Sequence, residues 1–380
     1  MAVFITGATG FLGSYVVADF LTRHSDRLQL LVRSRSVREA EERLWRALQL
    51  HMDFSAFWDF RTRRIDICLG DLTRPGLGLS PEDRERIVES ADSVFHCAAS
   101  LHRKSEEMCL NVNLRGTLEV ILLAQEIEKK RSLRRFSFVS TVAVSGERFH
   151  ETVREDEAVR WNRPDSDPYG RTKKFAEHMV RRQLQGIPLT VFRPSAIIGD
   201  TRFPRTTQFD MVRAFAWIER LKILPLDPRW RIDIVPADYV SRVMVDLHRK
   251  EKPRHETYHV SAGEGALSYR EIAESLRADP SKGSPSFAPR LTAPFLKLCS
   301  YLARRHPRWG LSRPALLVDV FKPHLVADTV FENRRIVEES GEIPAPFSRY
   351  AASLLRFARQ NDFKYPYLPF PTETPKREVA

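Results

Sequence analysis

A phenol and an ammonium on one helix face can share the handling of a proton, and of the nine tyrosines only Tyr169 has a lysine four residues on, Lys173. The run Tyr169-Gly170-Arg171-Thr172-Lys173-Lys174-Phe175-Ala176-Glu177 follows Pro168 and has helical character, so the spacing puts both side chains on one face. An ammonium beside a phenol favours the phenolate, which brings the tyrosine toward working pH for proton exchange with a substrate oxygen. A third group comes from Phe138-Val139-Ser140-Thr141-Val142-Ala143-Val144-Ser145-Gly146, a strand pattern whose carboxyl end presents hydroxyls. The Thr141 hydroxyl could there donate to an oxygen that gains charge; otherwise it is an ordinary β-forming threonine.

The chain opens on Val3 to Thr6, an apolar strand pattern, then Gly7-Ala8-Thr9-Gly10-Phe11-Leu12-Gly13 and a helical run through Leu21. A strand, a glycine turn and a helix N-terminus aim backbone N–H groups at a pyrophosphate. Thr6, Gly7, Thr9, Gly10, Phe11, Leu12 and Gly13 are therefore expected to line a dinucleotide site. Where an acidic residue would grip a ribose 2′-hydroxyl, the sequence has Arg33-Ser34-Arg35-Ser36, which suits a 2′-phosphate and predicts NADP(H). The alternative is two surface arginines after a strand. Asp71 and Leu72, after the third strand pattern, suit an adenine ring or an ordinary turn.

The elements that must position these groups alternate short apolar runs with longer amphipathic ones. Strands are expected at Val3 to Thr6, Leu28 to Arg33, Ile65 to Leu69, Ser93 to Cys97, Arg135 to Ser140 and Leu189 to Arg193. The fold class is α/β, a Rossmann-type doubly wound parallel sheet with a smaller, mostly helical C-terminal substrate lobe. Residues 1–200 form the NADP-binding domain, with segments 230–240 and 255–262 returning to it, and 201–380 the substrate-side lobe. From Asp362 through Tyr365-Pro366-Tyr367-Leu368-Pro369-Phe370-Pro371 the prolines forbid helix and predict an extended strap.

Composition narrows the functional classes. Hydrophobic residues at 42% and charged residues at 29% suit a globular enzyme-sized chain, with no nucleic-acid-reading module. No stretch of 18 uncharged apolar residues exists and the strand starts at once, so neither a membrane span nor a secretory leader is expected and the cytosol is the expected compartment. Cys68, Cys97, Cys109 and Cys299 lack metal-site spacing, and no metal is expected. The net charge of +12 is concentrated partly between Lys282 and Lys322, where Arg290, Lys297, Arg304, Arg305, Arg308 and Arg313 face only Asp319. This is a solvated surface or a docking face for an acidic partner. Leu291 to Arg305 mixes apolar and basic residues and suits either a lid on the substrate lobe or peripheral membrane contact.

Taken together, TGATGFLG, the Tyr169/Lys173 pair, STVAVSG, Asn113-Leu114-Arg115-Gly116-Thr117 and Arg193-Pro194-Ser195 resemble the extended short-chain dehydrogenase/reductases over roughly the first two thirds of the chain. The resemblance implies a Thr141, Tyr169, Lys173 triad, with Lys173 also holding the nicotinamide ribose. It further implies cofactor contacts at Cys97, Ala98 and Ala99, at Asn113, and at Pro194 and Ser195 beside the nicotinamide. Leu31 to Leu44, Gly70 to Ser80 and the threonine in the triad are similar to the thioester-reductase and fatty-acyl-reductase branch. That likeness implies an NADPH-dependent reductase of an acyl thioester, on coenzyme A or an acidic carrier protein, to aldehyde and, in some members, onward to alcohol. The alternatives are an NADP-dependent ketone or aldehyde reductase or secondary-alcohol dehydrogenase, and a non-catalytic NADP sensor. The sequence departs from that branch at His96 to Lys104, which turns basic where an apolar, aromatic pocket edge is expected; His96 and His102 are cofactor-lining or structural.

Overall fold

The computed structural model describes residues 1–277, 285–304 and 312–372. Its centre is a seven-stranded parallel sheet of β1 (Ala2–Thr6), β2 (Arg27–Val32), β3 (Ile65–Leu69), β4 (Ser93–His96), β5 (Arg135–Val139), β6 (Leu189–Pro194) and β7 (Thr257–Val260), in the order β7-β6-β5-β4-β1-β2-β3. The six strands expected from the sequence are all present. Near-continuous Val, Ile, Leu and Phe along them reflects burial on both faces, as a parallel sheet requires. One face carries α1 (Phe11–Arg23), α2 (Val37–Leu48), α3 (Phe54–Arg63) and the helix Ala237–Arg249; the other carries Pro81–Ser90, Gly116–Arg131 and Pro168–Gln183.

The strand order reverses between β1 and β4, which opens a crevice at their carboxyl ends where doubly wound sheets bind ligands. Of the two later segments expected to return to the sheet, 257–260 extends its β6 edge, in register from Thr257 beside Val191 to Val260 beside Pro194. The other does not join it. Arg231–Ile232 pairs with Leu267–Ser268, and Ile234–Val235 with Ala196–Ile197, because a proline at 236 ends the strand after two residues and starts the helix that packs on α1.

A second core lies beyond Asp200, built from Asp210–Ile218, Thr292–Ala303, Ser312–Leu325 and Ala351–Gln360. From there Tyr365 to Pro371 crosses back without regular structure and lies on α2. Gln49 Oε1 accepts from Leu368 N at 2.7 Å, Trp45 Nε1 donates to the Pro369 carbonyl, and the Phe370 ring sits among Phe54, Phe57 and Trp58 with Arg38 over its face.

Candidate active site

Gly7, straight after β1, has φ +83°, and a Cβ there would lie 2.7 Å from Ala98 N. At Gly13 a Cβ would collide with the Gly7 carbonyl. Only glycine permits this turn to close under the sheet edge. Gly10 caps α1 without a side-chain hydrogen bond, which leaves the first amides of the helix pointing into open space, an anion-binding arrangement. Gly7, Thr9, Gly10, Phe11, Leu12 and Gly13 all line one cavity of about 910 Å³. Replacing Gly13 by alanine should weaken NADPH binding at least tenfold in a fluorescence titration, and an unchanged affinity would count against the cradle.

Thr6 does not line the cavity. Its hydroxyl lies 2.6 Å from His96 Nδ1 and accepts from Ala98 N, while His96 Nε2 meets the Thr117 hydroxyl at 2.9 Å. Burial, reinforced by the charge of Lys173, pushes the His96 imidazole down to about 3. A neutral ring bridging two strands and a helix is structural.

At the far end of the cavity Arg33, Asp71 and Leu72 are on the wall, with Asp71 Oδ1 tied to Thr73 N at 2.9 Å. Arg35 is not. Its backbone N donates to Glu39 Oε2 in the turn that starts α2, where Ser36 accepts from Glu39 N. The second guanidinium on the wall belongs to Arg43, which donates to the Arg33 carbonyl. The Ser36-x-x-Glu39 pattern fixes where α2 starts and so its phase, the one signal in the sequence that could have pointed to Arg43.

The catalytic candidates come from two elements. Asp167 caps the helix Pro168–Gln183 by accepting from Gly170 N at 2.7 Å, with Pro168 in the first turn. That helix buries Tyr169 and Lys173. Thr141 follows β5, its hydroxyl accepting from Ala143 N. Thr141 and Tyr169 both line the cavity. Burial raises the phenol above its ordinary value, and Arg103 and then the Thr141 hydroxyl oppose it. Lys173 lies behind the wall, its Nζ donating to the Val139 carbonyl at 2.7 Å and 4.0 Å above the Phe138 ring. Burial pushes that ammonium down to about 7, against the pull of Cys97 and Glu177.

Cys97, Ala98, Ala99, Pro194 and Ser195 line the cavity too. Asn113 lies behind it, in a π-helical turn over Leu110–Arg115. Its amide accepts from Ser100 N at 2.7 Å and donates to the Thr172 hydroxyl, which joins the loop after β4 to the helix of Tyr169. The glycine cradle and the uncapped amides form a donor set that fits a dinucleotide.

On the opposite wall stand Leu317, Val320 and Phe321 of the helix Ser312–Leu325, with Met211. Thr292–Ala303 packs against this helix, with Phe295 stacked on Trp217 and Cys299 buried, and leaves Leu298 and Tyr301 exposed. Asp319 accepts from the Ser300 hydroxyl at 2.6 Å and pairs with Lys322 and Lys104. Lys282, Arg305 and Arg308 lie outside the described residues. Among the described residues no helix is long and apolar enough to cross a membrane.

Residues 5–244 match the family described as male sterility protein, an NAD-binding group. The chain is 30% identical over 263 residues to a linear gramicidin synthase polypeptide of Brevibacillus parabrevis, covering 68% of this chain and 5% of that protein. It is 29% identical over 235 residues to the fatty acyl-CoA reductase wat of Drosophila melanogaster, covering 55% of this chain and 45% of that one. The chain thus spans less than half the length of these relatives. A terminal R domain from the myxalamid biosynthetic pathway shares the fold, with a TM-score of 0.79 at 24% identity over 95% of this chain and 91% of that one.

Proposed function

The chain belongs to the male sterility protein family, NAD(P)-dependent reductases of the extended short-chain dehydrogenase/reductase type, and on that premise we propose that it reduces an acyl thioester to an aldehyde with NADPH, using Thr141, Tyr169 and Lys173. The observation that carries this reading is that the Tyr169 phenol and the Thr141 hydroxyl line the same cavity as the glycine cradle. Bound NADPH supplies the hydride. The hydroxyls of Thr141 and Tyr169 hold the thioester carbonyl oxygen and stabilise the negative charge that develops on it. Tyr169 gives that oxygen its proton, and the resulting hemithioacetal separates into aldehyde and thiol. A second round on the aldehyde, with Tyr169 again the acid, gives the alcohol. Lys173, whose Nζ donates to the Val139 carbonyl beneath the cavity wall, would hold the ribose hydroxyls of the bound cofactor.

The apolar wall of Leu317, Val320 and Phe321 suits an acyl chain, and the basic residues Lys104 and Arg231 on the cavity wall suit the phosphates of coenzyme A or of a carrier-bound arm. The helices Asp210–Ile218, Thr292–Ala303, Ser312–Leu325 and Ala351–Gln360 form the substrate lobe on this reading. NADPH absorbance followed with acyl-coenzyme A and acyl-carrier thioesters beside ketones and free aldehydes tests it. Thioester-dependent oxidation is expected; turnover of ketones without thioesters would replace it with the secondary-alcohol reading.

The two guanidinium groups at the far end of the cavity suit a 2′-phosphate. Changing Arg33 and Arg43 together to alanine should reduce the preference for NADPH over NADH by roughly 10- to 100-fold in kcat/KM, as expected for losing charge-assisted hydrogen bonds to phosphate. An unchanged ratio removes the assignment of NADP.

A further inference from the structure

The helix α2 meets a different part of the molecule on each of three sides. Ala40, Leu44 and Leu48, four residues apart, are buried in the core beside the sheet. Arg43 stands with Arg33 on the cavity wall and donates to the Arg33 carbonyl. The third side belongs to the C-terminal segment Tyr365 to Pro371, whose prolines at 366, 369 and 371 keep it extended before it docks. Gln49, the cap of α2, accepts from Leu368 N at 2.7 Å and donates to the Leu368 carbonyl at 3.3 Å, while its own carbonyl accepts from the Tyr365 hydroxyl at 3.3 Å. Trp45 Nε1 donates to the Pro369 carbonyl and Arg38 to the Pro371 carbonyl, each at 3.2 Å. Phe370 sits between Arg38 and the rings of α3.

We propose that this segment is a positioning element for cofactor choice: by fixing the roll of α2 it holds the Arg43 guanidinium at the place of the 2′-phosphate, and so sets the preference for NADPH over NADH. This rests on the reading of Arg33 and Arg43 as the phosphate pair. A helix held through one apolar stripe resists lifting off its sheet far better than it resists turning about its own axis. Arg43 lies one residue, about 100°, around from Leu44, so such a turn moves its side chain along the cavity wall. A roll of about ten degrees carries a group about 6 Å from the axis through about 1 Å, enough to spoil the paired geometry by which a guanidinium grips phosphate. The hydrogen bonds from Gln49, Trp45 and Arg38 lie away from the apolar stripe and oppose that roll. Arg33 follows β2 directly and is set by the sheet, so loosening the segment should withdraw one guanidinium and leave the other.

Dissociation constants for NADPH and NADH, measured by isothermal titration calorimetry on the full chain, test this. Arg43→Ala should lower the preference for NADPH about tenfold. Phe370→Ala and Gln49→Leu should each lower it about three- to tenfold by weakening NADPH, with NADH held within a factor of about two. Phe370→Tyr, which keeps the ring, should retain the original preference. Added to Arg43→Ala, Phe370→Ala should lower the preference no further, because the group that the segment positions is already gone. A segment that only stabilises the fold would weaken both cofactors alike and act on the Arg43→Ala protein as it does on the parent; either result overturns the proposal. If Phe370→Ala does not fold, Gln49→Leu decides it in the same way. An unchanged preference in Arg43→Ala would sink the phosphate reading and this proposal with it, whereas a loss there beside unchanged Phe370→Ala and Gln49→Leu proteins would sink this proposal alone.

Discussion

Replacing Tyr169 by phenylalanine is expected to lower turnover of the productive thioester, and of its aldehyde, by roughly 100- to 10,000-fold, the range associated with losing a positioned general acid. NADPH affinity should stay within a factor of about three, because the ring remains and only the hydroxyl is lost. Tyr169 is 8% exposed and shares the cavity wall with Thr141. Thr141 still holds the carbonyl oxygen, so the residual rate should exceed that of a Thr141→Ala, Tyr169→Phe double variant. Stopped-flow measurement of NADPH oxidation separates binding from hydride transfer, and a turnover loss below tenfold would remove Tyr169 from the chemistry.

The second large effect is on stability. Glu177, one turn past Lys173, is fully buried and accepts from Ser140 Oγ at 2.7 Å, from Arg193 at 2.6 and 3.1 Å and from Arg181 at 3.1 Å. Burial alone would raise this carboxyl, but Arg193, with Arg181 and Ser140, outweighs it and holds the group down to about 2. The carboxylate thus joins the end of β5, the end of β6 and the helix of Tyr169. Glu177→Ala should cost about 3–5 kcal/mol, because it strands the buried Arg193 guanidinium. A urea unfolding midpoint measures the loss, and a cost under about 1 kcal/mol would show that the network is dispensable. Activity should fall with stability here, since the same atoms set the position of Thr141 relative to Tyr169.

Much of this arrangement is legible in the sequence because it is local. A parallel strand buried on both faces writes itself as a continuous apolar run, and the glycine turn, the strand-end Thr141 and the helical spacing of Tyr169 and Lys173 each lie within ten residues of chain. The contacts that escape such a reading are those that only folding creates. Arg103 meets Asp167 across 64 residues, and nothing in either neighbourhood announces the other. Arg43, rather than Arg35, stands with Arg33 on the cavity wall because a helix, and not the turn before it, faces the crevice. Thr6 has the right place in the motif but turns its hydroxyl to a histidine 90 residues away. The strand pieces at 231–235 are legible as β but not as to which partner they take, since two residues carry too little pattern to specify register.

The segment from Tyr365 to Pro371 begins beyond the substrate-side core and is fastened to α2 by hydrogen bonds at Leu368 and Pro369 and by the ring of Phe370. It acts as a belt across the outside of both units. Leu317, Val320 and Phe321, which stand across the cavity from Tyr169, lie on Ser312–Leu325, a helix outside that belt with Thr292–Ala303 packed against it.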